Sequence, residues 1–128
     1  VAQSGPEDRI PSHGPVAQEP VASLMANSDL FVFPSTFESY GMVLAEAAAA
    51  GLPVLSNRVG AAEQLIRHGV TGFLANAGDW NGFGEYLRIL LDDQALRARF
   101  RENLRQVVVR GWHDTFVDFR AACESMLA

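Results

Sequence analysis

The sequence contains no lysine: its ten basic side chains are all arginines, and with 15 acidic residues the formal net charge is −5. That balance, with no basic cluster anywhere along the chain, argues against a partner held by its phosphate backbone, and so against nucleic acid. The one cysteine, Cys123, excludes an internal disulfide framework. It falls on an apolar stripe without a basic neighbour in sequence, which reads as core and not as nucleophile. His13, His68 and His113 are too widely spaced for a local metal-ligand motif. Apolar runs of the ~18–20 residues needed to span a membrane are absent, and no secretory leader is visible, so a cytoplasmic address is expected. Gly78, Gly82 and Gly84 make no dinucleotide fingerprint, because they follow a loop and fall inside a helix instead of lying between strand and helix.

What is present fits one domain of 128 residues with 48% hydrophobic side chains, enough for a real core. Residues 1–8 are polar and carry Gly5 and Pro6, so they read as a loose lead-in, with the domain over residues 9–128. Gln18 or Glu19 before Pro20 starts a helix, whose Val21, Leu24 and Met25 share a face up to about Asn27. Residues 30–33 are continuously apolar, as expected of a parallel strand covered on both faces, and residues 54–56 form a second such strand. A short helix is expected over 61–67, then a turn bracketed by Gly69 and Gly72 into a strand at 73–75.

Asp79 is placed to cap a helix whose Trp80, Phe83, Leu87, Leu90 and Leu91 form one stripe, and Leu96, Phe100, Leu104, Val107 and Val108 repeat the pattern. Gly111 breaks the chain, and Asp114 is placed to cap a last helix with Phe116, Phe119, Cys123 and Met126 on one side. His113 and Asp114 beside Trp112 therefore read as a helix start and not as an acid–base pair. Alternating strands and helices give an α/β fold with a parallel sheet flanked by helices.

The chemistry-bearing stretch is residues 33–53, FPSTFESYGMVLAEAAAAGLP. The strand stops at Pro34, a loop follows, and a helix of Met, Val, Leu and Ala begins near Gly41. Gly51 suits its left-handed cap and Pro53 prevents it from continuing. Glu38 lies in the loop and Glu46 inside the helix. Every ionisable side chain between Arg9 and Arg58 apart from His13 is acidic, so neither glutamate has a basic partner nearby in sequence. A carboxylate in an apolar helix calls for hydrogen-bond donors, which sugar and ribose hydroxyls supply, and the free amides of residues 40–43 suit phosphate. Ordinary solvated glutamates are the plainer account, against which stand the loop, the glycine and the alanine-rich helix.

These residues resemble the retaining glycosyltransferases of the glycosyltransferase-B fold, the group of glycogen synthase-like, sucrose synthase-like and lipid mannosyltransferase enzymes. The match is Pro34, Ser35, then Glu38, Ser39, Tyr40, Gly41, then Glu46, Ala47, then Gly51, Leu52, Pro53, Val54. It extends to the strand before the motif and to His68, Gly69, Val70, Thr71, Gly72, Phe73, Leu74 after it. The resemblance implies a partial Rossmann-like sheet, the later part of the C-terminal nucleotide-sugar-binding domain. It implies that Glu38 faces the transferred sugar as the catalytic-site carboxylate, that Glu46 binds the ribose, and that Ser39, Tyr40, Gly41, Met42 and Val43 approach the diphosphate and sugar. A nucleotide-diphosphate sugar is then the donor and no metal or cofactor is required.

Two departures stand out. The arginine and lysine that stabilise the leaving diphosphate in the family, and the acceptor-binding domain, have no counterpart here, so the chain is expected to be a fragment of an enzyme, inactive alone and needing the missing N-terminal part as partner. A non-catalytic interaction module built on a degenerate glycosyltransferase half is the alternative, and a nucleotide-sugar epimerase of the same fold ranks below both. In the family's strand order the strand at 30–33 lies beside strands missing here, which leaves an apolar edge open to self-association. By resemblance residues 9–13 are a further strand, but Pro11 makes them a poor one to fill that edge.

Overall fold

A computed structural model of the chain describes residues 9–106 and 112–127. The short apolar runs become three parallel strands, β1 (Phe31–Phe33), β2 (Val54–Asn57) and β3 (Gly72–Ala75), hydrogen-bonded in the order β1-β2-β3. Phe31 lies opposite Val54, and Val54 opposite Gly72, so the strands run in step from one edge to the other. Between them come α1 (Gln18–Ala26) before the sheet, α2 (Met42–Ala49) after β1 and the single turn α3 (Ala62–Leu65) after β2. Helices α4 (Trp80–Asp92), α5 (Gln94–Leu104) and α6 (Trp112–Leu127) close the chain.

Strand alternation sorts the core into two layers. Val54 and Leu74 face α1, α2 and α3, where they meet Met25, Leu44, Ala47, Ala62 and Ile66, with Phe31 and Phe33 packed alongside. Leu55 and Ala75 face the other way, onto Phe83 and Leu90 of α4 and Phe100 of α5. Phe100 and Leu90 are fully buried, and each contributes roughly 1.5–3 kcal/mol by leaving water. Both faces of the sheet are thus covered, which is why its strands are apolar up to the polar pair Ser56 and Asn57 at the end of β2.

Local capping chemistry ends the helices as the sequence implies. Ala50 and Gly51 follow α2, and the amides of Gly51 and Leu52 donate to Ala48 and Ala47, the paired bonds of a Schellman cap. The Asp79 carboxylate accepts from the Gly82 amide at 3.0 Å and starts α4. Four expectations change. Residues 9–13 form no strand, since Pro11 has no amide to give a ladder. Helix α3 stops at Leu65 because Ile66 is extended. Asp114 lies inside the first turn of α6 instead of capping it. In α6 the side chains of Phe116, Val117, Phe119, Met126 and Leu127 are exposed, while Cys123 is half-buried. The expected lead-in at residues 1–8, Val107 and Val108, and the break at Gly111 lie outside the described residues.

Candidate functional site

The carboxyl ends of the three parallel strands, Phe33, Asn57 and Ala75, lie in register at one edge of the sheet. In an open α/β sheet this is the edge where ligands bind, because the loops that follow the strands gather there. Pro34 cannot extend β1, and residues 34–41 form an irregular loop leading into α2. Within it, the Ser35 hydroxyl donates to the Phe37 carbonyl at 2.9 Å. Glu38 is half-buried in the middle of that loop.

Two longer-range contacts hold the loop. Asn57, 1% exposed at the end of β2, donates from Nδ2 to the carbonyls of Pro34 at 3.2 Å and Ser35 at 3.0 Å. Both acceptors are carbonyl oxygens, so the amide nitrogen must be the atom facing them. The Asn57 Oδ1 is left buried with no partner among the described residues, at a cost of about 1–3 kcal/mol. At the far end the Ala61 amide donates to the Tyr40 carbonyl at 2.8 Å. Gly60, at φ 53°, lies so close that a Cβ would stand 2.4 Å from the Tyr40 oxygen. Only glycine fits there, on grounds of both space and backbone angle.

Gly41 is the N-cap of α2, with no side chain capping the helix and no acidic residue in its first turn. The first helical amide with a protein acceptor is that of Leu44, which donates to Gly41 at 3.0 Å. The amides of Met42 and Val43 are therefore free among the described residues, at the positive end of the helix dipole. Glu46 is four residues after Met42, on the same exposed face and about 6 Å further along the axis. Its other neighbour is a groove of about 430 Å³ between α1 and α2, bordered by Val21, Met25, Ala26 and Ala49. Neither Glu38 nor Glu46 makes an ion pair or side-chain hydrogen bond among the described residues.

The predicted residues Glu38, Ser39, Tyr40, Gly41, Met42 and Val43 are thus one continuous loop and helix start, with Glu46 one turn on. Sequence reasoning missed Asn57 and the role of Gly60 against Tyr40. The available signal was the pair Ser56 and Asn57 closing an otherwise apolar strand. Glu63, in the first turn of α3, pairs with Arg58 at 2.8 Å.

A parallel sheet covered on both faces, with a carboxylate-bearing loop and an open helix start at its carboxyl edge, has the architecture of half of a doubly wound α/β domain. The chain belongs to the family of glycosyl transferases group 1, whose model matches residues 1–107. It is 41% identical over 102 residues to N-acetyl-alpha-D-glucosaminyl L-malate synthase of Bacillus anthracis, covering 80% of this chain and 26% of that protein. It is 38% identical over 112 residues to D-inositol 3-phosphate glycosyltransferase of Streptomyces avermitilis, covering 87% and 24%. The chain therefore spans about a quarter of the length of these curated relatives.

Among solved structures, sucrose-phosphate synthase of Thermosynechococcus elongatus superposes with a TM-score of 0.76 at 25% identity, covering 94% of this chain and 31% of that one. HepE of Anabaena in complex with UDP-glucose gives 0.60 at 33% identity, covering 66% and 23%. The fold is that of the C-terminal half of a glycosyltransferase-B enzyme, as the resemblance implied. Nothing in these likenesses favours the non-catalytic interaction module. No helix among the described residues is long and apolar enough to cross a membrane.

Proposed function

We propose that this chain supplies part of the donor site of a retaining glycosyltransferase, which moves a sugar from a nucleotide-diphosphate donor to an acceptor. Residues 9–128 are then the later part of the donor-binding domain. Glu38 orients the transferred sugar through its hydroxyls, and Glu46 accepts from the ribose. Ser39, Tyr40, Gly41, Met42 and Val43 bring backbone amides towards the diphosphate and sugar. In the transfer, the bond between the anomeric carbon and the diphosphate oxygen breaks, a bond to the acceptor oxygen forms, and the acceptor's proton is lost.

The observation that carries the reading is the pairing of two unpartnered carboxylates with an open helix start at the carboxyl edge of the sheet. Carboxylates only accept and sugar hydroxyls donate, while free amides donate and a diphosphate accepts. The complexes of HepE with UDP and with UDP-glucose support a nucleotide sugar as the partner. Stabilisation of the leaving diphosphate, usually a large electrostatic contribution, falls to cationic groups elsewhere in the whole enzyme, without a metal or other cofactor. A cytoplasmic location belongs to the same proposal. So does the free edge of β1, which takes a neighbouring strand in the whole enzyme and drives self-association of the chain alone.

Steady-state kinetics on the full-length enzyme test this, with UDP-glucose as the first donor and other nucleotide sugars after it. Glu38→Ala is expected to lower kcat on the order of 10²-fold, the effect of misplacing a reacting group. Glu46→Ala is expected to raise the donor KM about tenfold with little change in kcat, as loss of uniform binding does. EDTA is expected to leave turnover unchanged. Wild-type turnover in Glu38→Ala removes the assignment.

A further inference from the structure

We propose that the turn at residues 57–61 is the positioning element of the donor site, and that Asn57 sets where Glu38 stands. The inference rests on the donor-site reading of Glu38 and adds a residue to it. Between β1 and α2 the chain has no repeating backbone hydrogen bonds, and the one side-chain bond inside the loop is that from Ser35 to Phe37. The contacts that locate the loop come from 57–61. Asn57 Nδ2 reaches back 23 and 22 residues to the Pro34 and Ser35 carbonyls, and the Ala61 amide holds the Tyr40 carbonyl. Glu38 lies between these two points of attachment.

The chemistry at position 57 favours this role over plain packing. Val54 and Leu55 in the same strand are fully buried and apolar, and an apolar residue at 57 would bury no unpartnered polar atom of its own. A carboxamide there leaves Oδ1 buried and unpartnered. What the carboxamide supplies in return is two bonds to the base of the Glu38 loop, which no apolar side chain makes. Gly60 completes the arrangement from the other end, because any larger residue would push the Tyr40 carbonyl and the loop with it. Asn57 touches no reacting atom in this scheme and acts through the loop backbone.

The test is a double-mutant cycle in the full-length enzyme with UDP-glucose as donor, run with a thermal melt of each variant. Asn57→Ala is expected to lower kcat about tenfold with the donor KM within about twofold of wild type. Glu38→Ala/Asn57→Ala is expected to fall no more than about twofold below Glu38→Ala alone, since a residue acting through Glu38 has little left to misplace once the carboxylate is gone. A purely structural stitch would instead cost the same factor in both backgrounds, and that additive result overturns the proposal. So does wild-type kcat in a folded Asn57→Ala. Should Asn57→Ala fail to fold, Gly60→Ala displaces the same loop from its other end and decides by the same criterion. Wild-type kcat in Asn57→Ala beside a crippled Glu38→Ala defeats the positioning role alone, whereas wild-type turnover in Glu38→Ala defeats the donor-site reading as well.

Discussion

At Gly72 a Cβ would stand 2.2 Å from the Val54 carbonyl oxygen, across the pairing of β3 with β2, whereas at Gly84, on the exposed side of α4, it would meet nothing within 4 Å. Opposite outcomes are expected from the same added methyl group. Gly72→Ala must push the start of β3 away from the backbone of β2 and is expected to destabilise by about 1–3 kcal/mol. Gly84→Ala only reduces the freedom of the unfolded chain and is expected to stabilise by about 0.5–1 kcal/mol. Thermal melts of the two variants check this, and a shared sign of the shift in Tm would contradict it. The ion pair of Arg58 with Glu63 involves side chains 35% and 65% exposed, so its worth is small, on the scale of about 0–1 kcal/mol. Glu38 and Glu46 stand out in the sequence as carboxylates without basic neighbours, and neither makes an ion pair among the described residues.

Strand β1 pairs with β2 on one side and has no partner on the other among the described residues. Val32 is 37% exposed, and residues 9–13 form no strand to fill the edge. An open apolar edge recruits strands. Residues 1–128 on their own are therefore expected to sediment above the monomer mass at high concentration, and Val32→Lys is expected to reduce that association. A chain that stays monomeric across the concentration range would remove this role for the edge. Helix α6 poses a related mismatch: its pattern is amphipathic, yet Phe116, Phe119 and Met126 remain exposed. Periodicity predicts that such a face exists and says nothing about what covers it.

On the proposed reading, the whole chain is one part of a donor site that other parts of the enzyme complete. It spans about a quarter of its curated relatives, has no lysine, and carries a single arginine, Arg58, between Arg9 and Arg67. That arginine is already paired with Glu63. Residues 1–128 alone are expected to show no detectable sugar transfer and at most weak binding of a nucleotide sugar, measured by titration calorimetry and a radiolabelled transfer assay. Robust turnover by this chain without a partner would overturn the reading of it as part of a larger enzyme.

The sequence by itself determined the order of strands and helices, the parallel sheet, the cap at Asp79, the stop at Gly51 and Pro53, and the loop holding Glu38. Those features depend on periodicity and on the backbone preferences of a few neighbouring residues, which are written locally. Only the tertiary structure decided that Asn57 ties down the base of that loop, that Gly60 makes room for Tyr40, that Arg58 pairs with Glu63, and that residues 9–13 stay out of the sheet. Each of these depends on which backbone atoms the strand register brings together. Asn57 meets Pro34 and Ser35 because β1 and β2 run parallel with Phe33 opposite Ser56, and no stretch of neighbouring residues encodes that alignment alone.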